Sequence, residues 1–383
     1  MVINLSKLFQ NLNPTHNSWL LRDFFSFNNK FIHSLRGTKE MKKWLLLTII
    51  SAIALVLAAC GGGSGAKSSD EYTKEKPLVI KFSHVTAIDS VKGKAADYFA
   101  ELVNEKTEGR VKVEVYPSSQ LYGDADELDA LMSGNVHMIA PSVTKMVKLD
   151  PRWQYVDMPF LFQDDEHVQA FFDSEVAQTL FTSDALASND IMGKAFWPNG
   201  FKNFSSNKNQ LVKPEDFAGQ KFRAQAGKVL EAQFKALDAG SATIAFGETY
   251  AALQQGTVDG TENPHNNFDT MKFYEVQKYY TVSNHGRLDY AIFVNKSFWE
   301  AIPEDLRTQV DEALAEATTY AQGLAADENA KSLEKIKSLG TVEVYEMTPE
   351  ERDVLKEAMQ PVYEEFSEVI TPELLDGIEA LKK

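Results

Sequence analysis

Arg223 is the side chain in this sequence best suited to hold an anion. It stands in a short stretch of extended character, Lys221 to Gln225. A planar guanidinium there can take a carboxylate through two parallel hydrogen bonds and stays charged at any physiological pH. Forty residues on, after the turn Val258-Asp259-Gly260, comes Glu262-Asn263-Pro264. The proline biases Asn263 to an extended backbone, from which its amide can turn out of the loop and donate to a ligand oxygen. Asn267 is a neighbouring amide of the same kind, and Lys202 a compact point charge able to meet a second carboxylate. These types and spacings suit a clamp for a small organic anion. For any one of them taken alone, a surface ion pair or a turn is the competing role.

Catalytic and metal chemistry find no comparable support. The histidines after Cys60 (His84, His137, His167, His265 and His285) are far apart and show no HxH or HExxH spacing, and there is a single cysteine. GxSxG, GxxxxGK[ST] and GxGxxG are all absent. No cofactor, no metal and no enzymatic activity are therefore expected. The formal net charge of −16 argues against nucleic acid as a partner and leaves anion binding to local cations in a cleft.

The elements that must position these residues follow an α/β rhythm. Pro77–Val85 alternates as a strand does, Lys92–Lys106 has an apolar helical face (Ala95, Phe99, Leu102, Val103), and Val111–Tyr116 is a second strand. That order requires a crossover and parallel strands. Glu127–Met132 reads as a helix stopped by Gly134-Asn135, and Val136–Ala140 as a third strand. A bend at Trp197-Pro198 opens a second module: strands over Phe201–Ser206 and Lys221–Gln225, helices over Lys228–Leu237 and Glu248–Gln255. Tyr290–Asn295 returns as a strand, and Pro303–Leu339 is helical almost throughout.

The segment from Gly219 to Lys278, with KFR-x-Q around Arg223 and VDGTENP followed by KFYEVQK, resembles the substrate-binding proteins of TRAP transporters, the DctP family, and within them the dicarboxylate branch. The resemblance implies a two-lobed, periplasmic-binding-protein-like α/β fold with a long helix bridging the lobes. Lobe I would be 77–199 with 289–328, and lobe II 200–288 with 329–383. It makes Arg223 the ligand-carboxylate residue and Asn263 the binding amide. Many relatives carry Arg where Lys202 stands, a departure that the dicarboxylate branch tolerates. KFSHVTAIDSVKGKAA resembles the first strand and loop of dicarboxylate binders. It puts His84 or Val85 at the carboxyl end of the strand, the usual ligand edge of an open α/β sheet, and Lys92 at a helix start facing the far carboxylate. By resemblance Gln120, Asp124, Ser142 and Phe246 also face the cleft. The implied function is capture of a four-carbon dicarboxylate such as succinate, fumarate or malate for a membrane permease. A monocarboxylate or sugar acid, or service as a sensing subunit for a membrane kinase, are the alternatives.

Export signals agree. Met41-Lys42-Lys43 precedes an apolar run that ends in Leu57-Ala58-Ala59-Cys60, the pattern of a lipoprotein signal peptide over 41–59 with Cys60 as the lipidated residue. Residues 1–40 read as a leader ahead of the true start. Residues 60–76, with a Gly/Ser-rich beginning, read as a flexible tether. The expected location is the extracytoplasmic face of the cell membrane, held by the lipid alone.

Overall fold

A computed structural model describes residues 68–383; the leader, the signal peptide, Cys60 and the tether as far as residue 67 lie outside them. The folded part starts earlier than Pro77. Ser68 caps a 3-10 turn at Ser69–Glu71, and Tyr72 lies against the apolar cluster of the first strands, because an aromatic ring there has hydrocarbon to cover.

Nine strands form one sheet in the order β2-β1-β3-β8-β4-β7-β5-β6, with β9 (Glu343–Glu346) pairing the start of β8. β1 (Leu78–Ser83) and β2 (Val111–Tyr116) are parallel, as the intervening helix Val91–Lys106 demands. That helix starts at Ser90, whose hydroxyl accepts from the Gly93 N–H, and it buries Ala95, Phe99, Leu102 and Val103 as its spacing predicts. β3 is only Met138–Ile139, and the helix Glu127–Met132 before it ends at Gly134, whose φ of 71° suits glycine.

β4 (Ile191–Ser206) and β8 (Tyr279–Asn295) are longer than the sequence suggests. They run antiparallel from Ile191 opposite Asn295 to Ser206 opposite Tyr279. The expected bend at Trp197-Pro198 is instead a register shift between Pro198 and Gly200 within a continuous strand. A bulge tolerates proline because no ladder N–H is needed at that point. The positions expected for the two crossings, near 199 and 288, are paired with each other at this shift: Pro198 faces Asp289 and Gly200 faces Leu288.

Beyond the bulge, β4 pairs with β7 (Gly260–Asn263), β7 with β5 (Lys221–Ala224), and β5 with β6 (Gly240–Thr243). Gly260 is obligatory, since a Cβ there would lie 2.1 Å from the Ser205 carbonyl oxygen. The helix Glu304–Leu339, about 54 Å long at 1.5 Å per residue, spans both ends of the sheet. Its first half packs Leu306, Val310, Ala313 and Ala317 on the β1–β2 cluster, and Ile336 joins the cluster around Phe268, Phe273 and Tyr280.

Candidate ligand-binding site

Arg223 points its side chain to one face of β5 and is fully enclosed, with 1 % of its surface exposed. Its Nε donates to the Ile244 carbonyl at 2.9 Å, which sets the plane of the guanidinium. Nη2 lies 4.0 Å from the Asp124 carboxylate, Nη1 has no hydrogen-bond partner among the described residues, and the Phe246 ring lies alongside at 5.7 Å. Burial lowers its pKa, with Asp124 and Glu262 opposing. A buried cation with an unmade hydrogen bond is costly unless an anion completes it.

Six of the residues expected at the site line one narrow cavity with Arg223 among them: Val85, Asp124, Ser142, Arg223, Phe246 and Asn267. Its volume is about 20 Å³, room for little more than a water molecule. A four-carbon acid therefore enters only when the walls part. Those walls are joined by hydrogen bonds: Asp124 Oδ2 accepts from the Phe246 N–H at 2.7 Å, and Lys145 Nζ donates to the Gln225 carbonyl at 3.2 Å. A larger cleft of about 870 Å³ lies around Asn207, Gln255, Asp259 and Tyr274, away from Arg223.

Sequence reasoning missed Thr86, Lys145, Gln225, Leu288 and Tyr290, which also line the cavity. Lys145 matters most, as a second cation 3.5 Å from Asp124. Burial lowers its pKa, Asp124 opposes, and the Arg223 charge adds to the lowering. Burial alone would raise the Asp124 carboxyl, but Lys145, Arg223, the Phe246 N–H and Lys92 together hold it below the ordinary carboxylate range. Two of the missed residues carried a signal. Gln225 shares the strand face of Arg223 by the period of two, and Lys145 is three residues from Ser142 on a 3-10 turn, Val143–Lys148, where such residues align.

Five expectations need correction, beginning with Lys202. It does not reach the cavity; its Nζ contacts Glu262 at 2.6 Å and Asp157 at 3.2 Å, all three fully buried. Burial would lower the Lys202 pKa, but the two carboxylates outweigh it and raise it. Burial would likewise raise Glu262, yet Lys202 and His285 hold it far below the usual range. Two buried acids hold this ammonium, so its place in the structure is that of a framework ion pair. Asn263 is buried too, its Nδ2 on Thr261 Oγ1 at 3.2 Å and its Oδ1 without a partner among the described residues, and it does not line the cavity.

His84 and Lys92 sit one layer behind the wall. His84 is enclosed beside Thr86, and burial, then Lys92, lowers its pKa to about 3, so it is neutral. Lys92 donates to the Ala140 carbonyl at 2.7 Å and lies 3.8 Å over the ring of Tyr290, a residue that lines the cavity. Burial lowers it to about 8 against the pull of Glu127 and Asp124. Gln120 is exposed and takes no part.

Comparison with known proteins accounts for this arrangement. Residues 82–369 match the family model described as bacterial extracellular solute-binding protein, family 7. The C4-dicarboxylate-binding periplasmic protein DctP of Rhodobacter capsulatus is 48% identical over 306 residues, 80% of this chain and 91% of that one. The C4-dicarboxylate-binding protein DctB of Bacillus subtilis is 37% identical over 82% of this chain and 89% of its own. A TRAP periplasmic solute-binding protein of Shewanella oneidensis, solved with bound succinate, superimposes with a TM-score of 0.78 at 36% identity, covering 80% of this chain and 100% of that one. The fold is the two-lobed one of these binding proteins, and the chain belongs to the DctP family of bacterial extracellular solute-binding proteins.

Proposed function

We propose that the protein is the extracytoplasmic receptor of a TRAP transporter and captures a four-carbon dicarboxylate. The observation that carries this reading is the fully buried Arg223 with a free N–H, lining one cavity with a second cation, Lys145. Arg223 takes one carboxylate through its fork and Lys145 the other, with the Ser142 hydroxyl and the Asn267 amide in reach of what lies between. Relatives at 37–48% identity are C4-dicarboxylate-binding proteins, and a solved relative holds succinate.

Opening and closing follow from where the cations sit. Lys145 belongs to the half of the sheet around β1–β3 and Arg223 to the half around β5–β7, and β4, β8 and the long helix run from one half to the other. We take the bulge at Pro198–Gly200 and the facing Leu288–Asp289 as the hinge and the lobe boundary. A dicarboxylate contacts both halves only when they are together, so its differential affinity favours closure. The closed form then passes the acid to a membrane permease. Cys60, after Leu57-Ala58-Ala59, carries the lipid that keeps the receptor at the membrane.

Calorimetric titration of the purified protein against succinate, fumarate, malate, monocarboxylates and sugar acids tests the substrate class. The expected result is saturable binding of a dicarboxylate; heat only from the monocarboxylates or sugar acids would overturn it. Membrane fractionation of a Cys60→Ser variant tests the anchor, which is refuted if the variant stays with the membrane.

A further inference from the structure

Asp124 puts a negative charge into a cavity proposed to hold carboxylates. It is the one acid among the residues lining the cavity, its side chain is 6% exposed, and it lies 3.5 Å from Lys145 and 4.0 Å from Arg223. Only Oδ2 is engaged by a hydrogen bond, from the Phe246 N–H. We infer that Asp124 is the charge selector of the site, cancelling one of three nearby positive charges so that the remainder matches two ligand carboxylates and rejects a third.

The charges near the cavity support this. Arg223 and Lys145 line it, and Lys92 lies behind the Tyr290 ring. Against these three stands Asp124, held ionised by Lys145, Arg223 and the Phe246 N–H despite its burial. Two more acids lie nearby: Glu262, which is paired with Lys202 and His285, and Glu127, which is enclosed with both oxygens unpartnered among the described residues and whose pKa burial, then Asp124, raise against the pull of Lys92. With Asp124 set against the three cations, the geometry leaves two of them to meet ligand carboxylates. A third ligand carboxylate would be buried beside Asp124 with no cation left for it, and like charges juxtaposed in a binding site are strongly unfavourable.

This inference rests on the dicarboxylate reading and is separable from it. The experiment compares citrate with succinate by calorimetry at neutral pH and fixed ionic strength, in wild type, Asp124→Asn and Asp124→Glu. Asparagine keeps an acceptor for the Phe246 N–H and removes only the charge; glutamate restores the charge. The measured quantity is the ratio of the citrate Kd to the succinate Kd, which does not depend on the fraction of protein folded. The ratio should fall about tenfold in Asp124→Asn and stay near wild type in Asp124→Glu. A fall smaller than about threefold in Asp124→Asn, or an equal fall in Asp124→Glu, overturns the role of charge. Failure of wild type to bind succinate, fumarate or malate would instead overturn the dicarboxylate reading itself.

Discussion

Removing the Arg223 guanidinium separates a binding role from a structural one, because the two predict opposite outcomes. Its Nε is fixed by the Ile244 carbonyl, so the two Nη groups are already oriented and little entropy is lost when a carboxylate meets them. Truncating one member of a buried, hydrogen-bonded charge pair costs about 2–5 kcal/mol. Asp124 at 4.0 Å already compensates part of the charge, which places Arg223→Ala near the middle of that range. About 3 kcal/mol corresponds to roughly a 150-fold rise in Kd for the dicarboxylate. Stability should move the other way or hardly at all. The variant loses the Ile244 bond, about 1 kcal/mol, and is relieved of burying a cation with an unmade N–H. Calorimetry gives the affinity, and urea unfolding without added ligand gives the stability. A Kd change below about fivefold, the scale of an exposed ion pair, would refute the clamp. So would a stability loss of about 3 kcal/mol, as large as the expected loss of binding, since Arg223 would then be holding the fold.

Two further substitutions probe the surroundings. Lys202→Met leaves Asp157 and Glu262 buried without their cation, so unfolding should show a loss of about 3–5 kcal/mol, whereas the folded fraction should bind its dicarboxylate within about threefold of wild type; a selective loss of binding would return Lys202 to the site. His265 has its Nδ1 on the Tyr280 hydroxyl, and burial, then Lys337, lowers its pKa from 6.5 to about 4. Its contribution is complete above pH 6.5 and is lost as pH falls toward 4, because the unfolded chain binds the proton first. His265→Gln should therefore lose about 3 kcal/mol less than wild type between pH 7 and pH 4, and parallel pH profiles in urea unfolding would exclude this.

What the sequence made legible was local. β1, β2 and the helices at 91–106 and 304–339 were readable because each carries its own period over enough residues. The β4–β8 ladder was not, because Gly193, Pro198 and Gly200 look like breakers, and only the partner strand shows that each lies beside a register shift that accommodates it. The site divides in the same way. Arg223 was legible from the chemistry of its fork and from the motif around it. Lys202 was misread because its partners, Asp157 and Glu262, are 45 and 60 residues away in sequence. Lys145, the second cation lining the cavity, sits in a run of apolar and basic residues where its spacing from Ser142 is the one mark, and that spacing means something only once the 3-10 turn is known.

The two lysines show how an acidic protein makes a receptor for a dianion. Overall charge is −16, and at physiological ionic strength a surface carboxylate is screened beyond about 8 Å. What the ligand meets is set by pairing inside. Lys202 is paired with two buried acids away from the cavity, whereas Lys145 and Arg223 line it and share one, Asp124. The same residue type thus serves as framework in one place and as cavity-lining charge in another. What decides between them is the number of acids the fold brings within 4 Å, a quantity that exists only once β4, β5 and β7 have assembled against the residues around Asp124, Lys145 and Asp157.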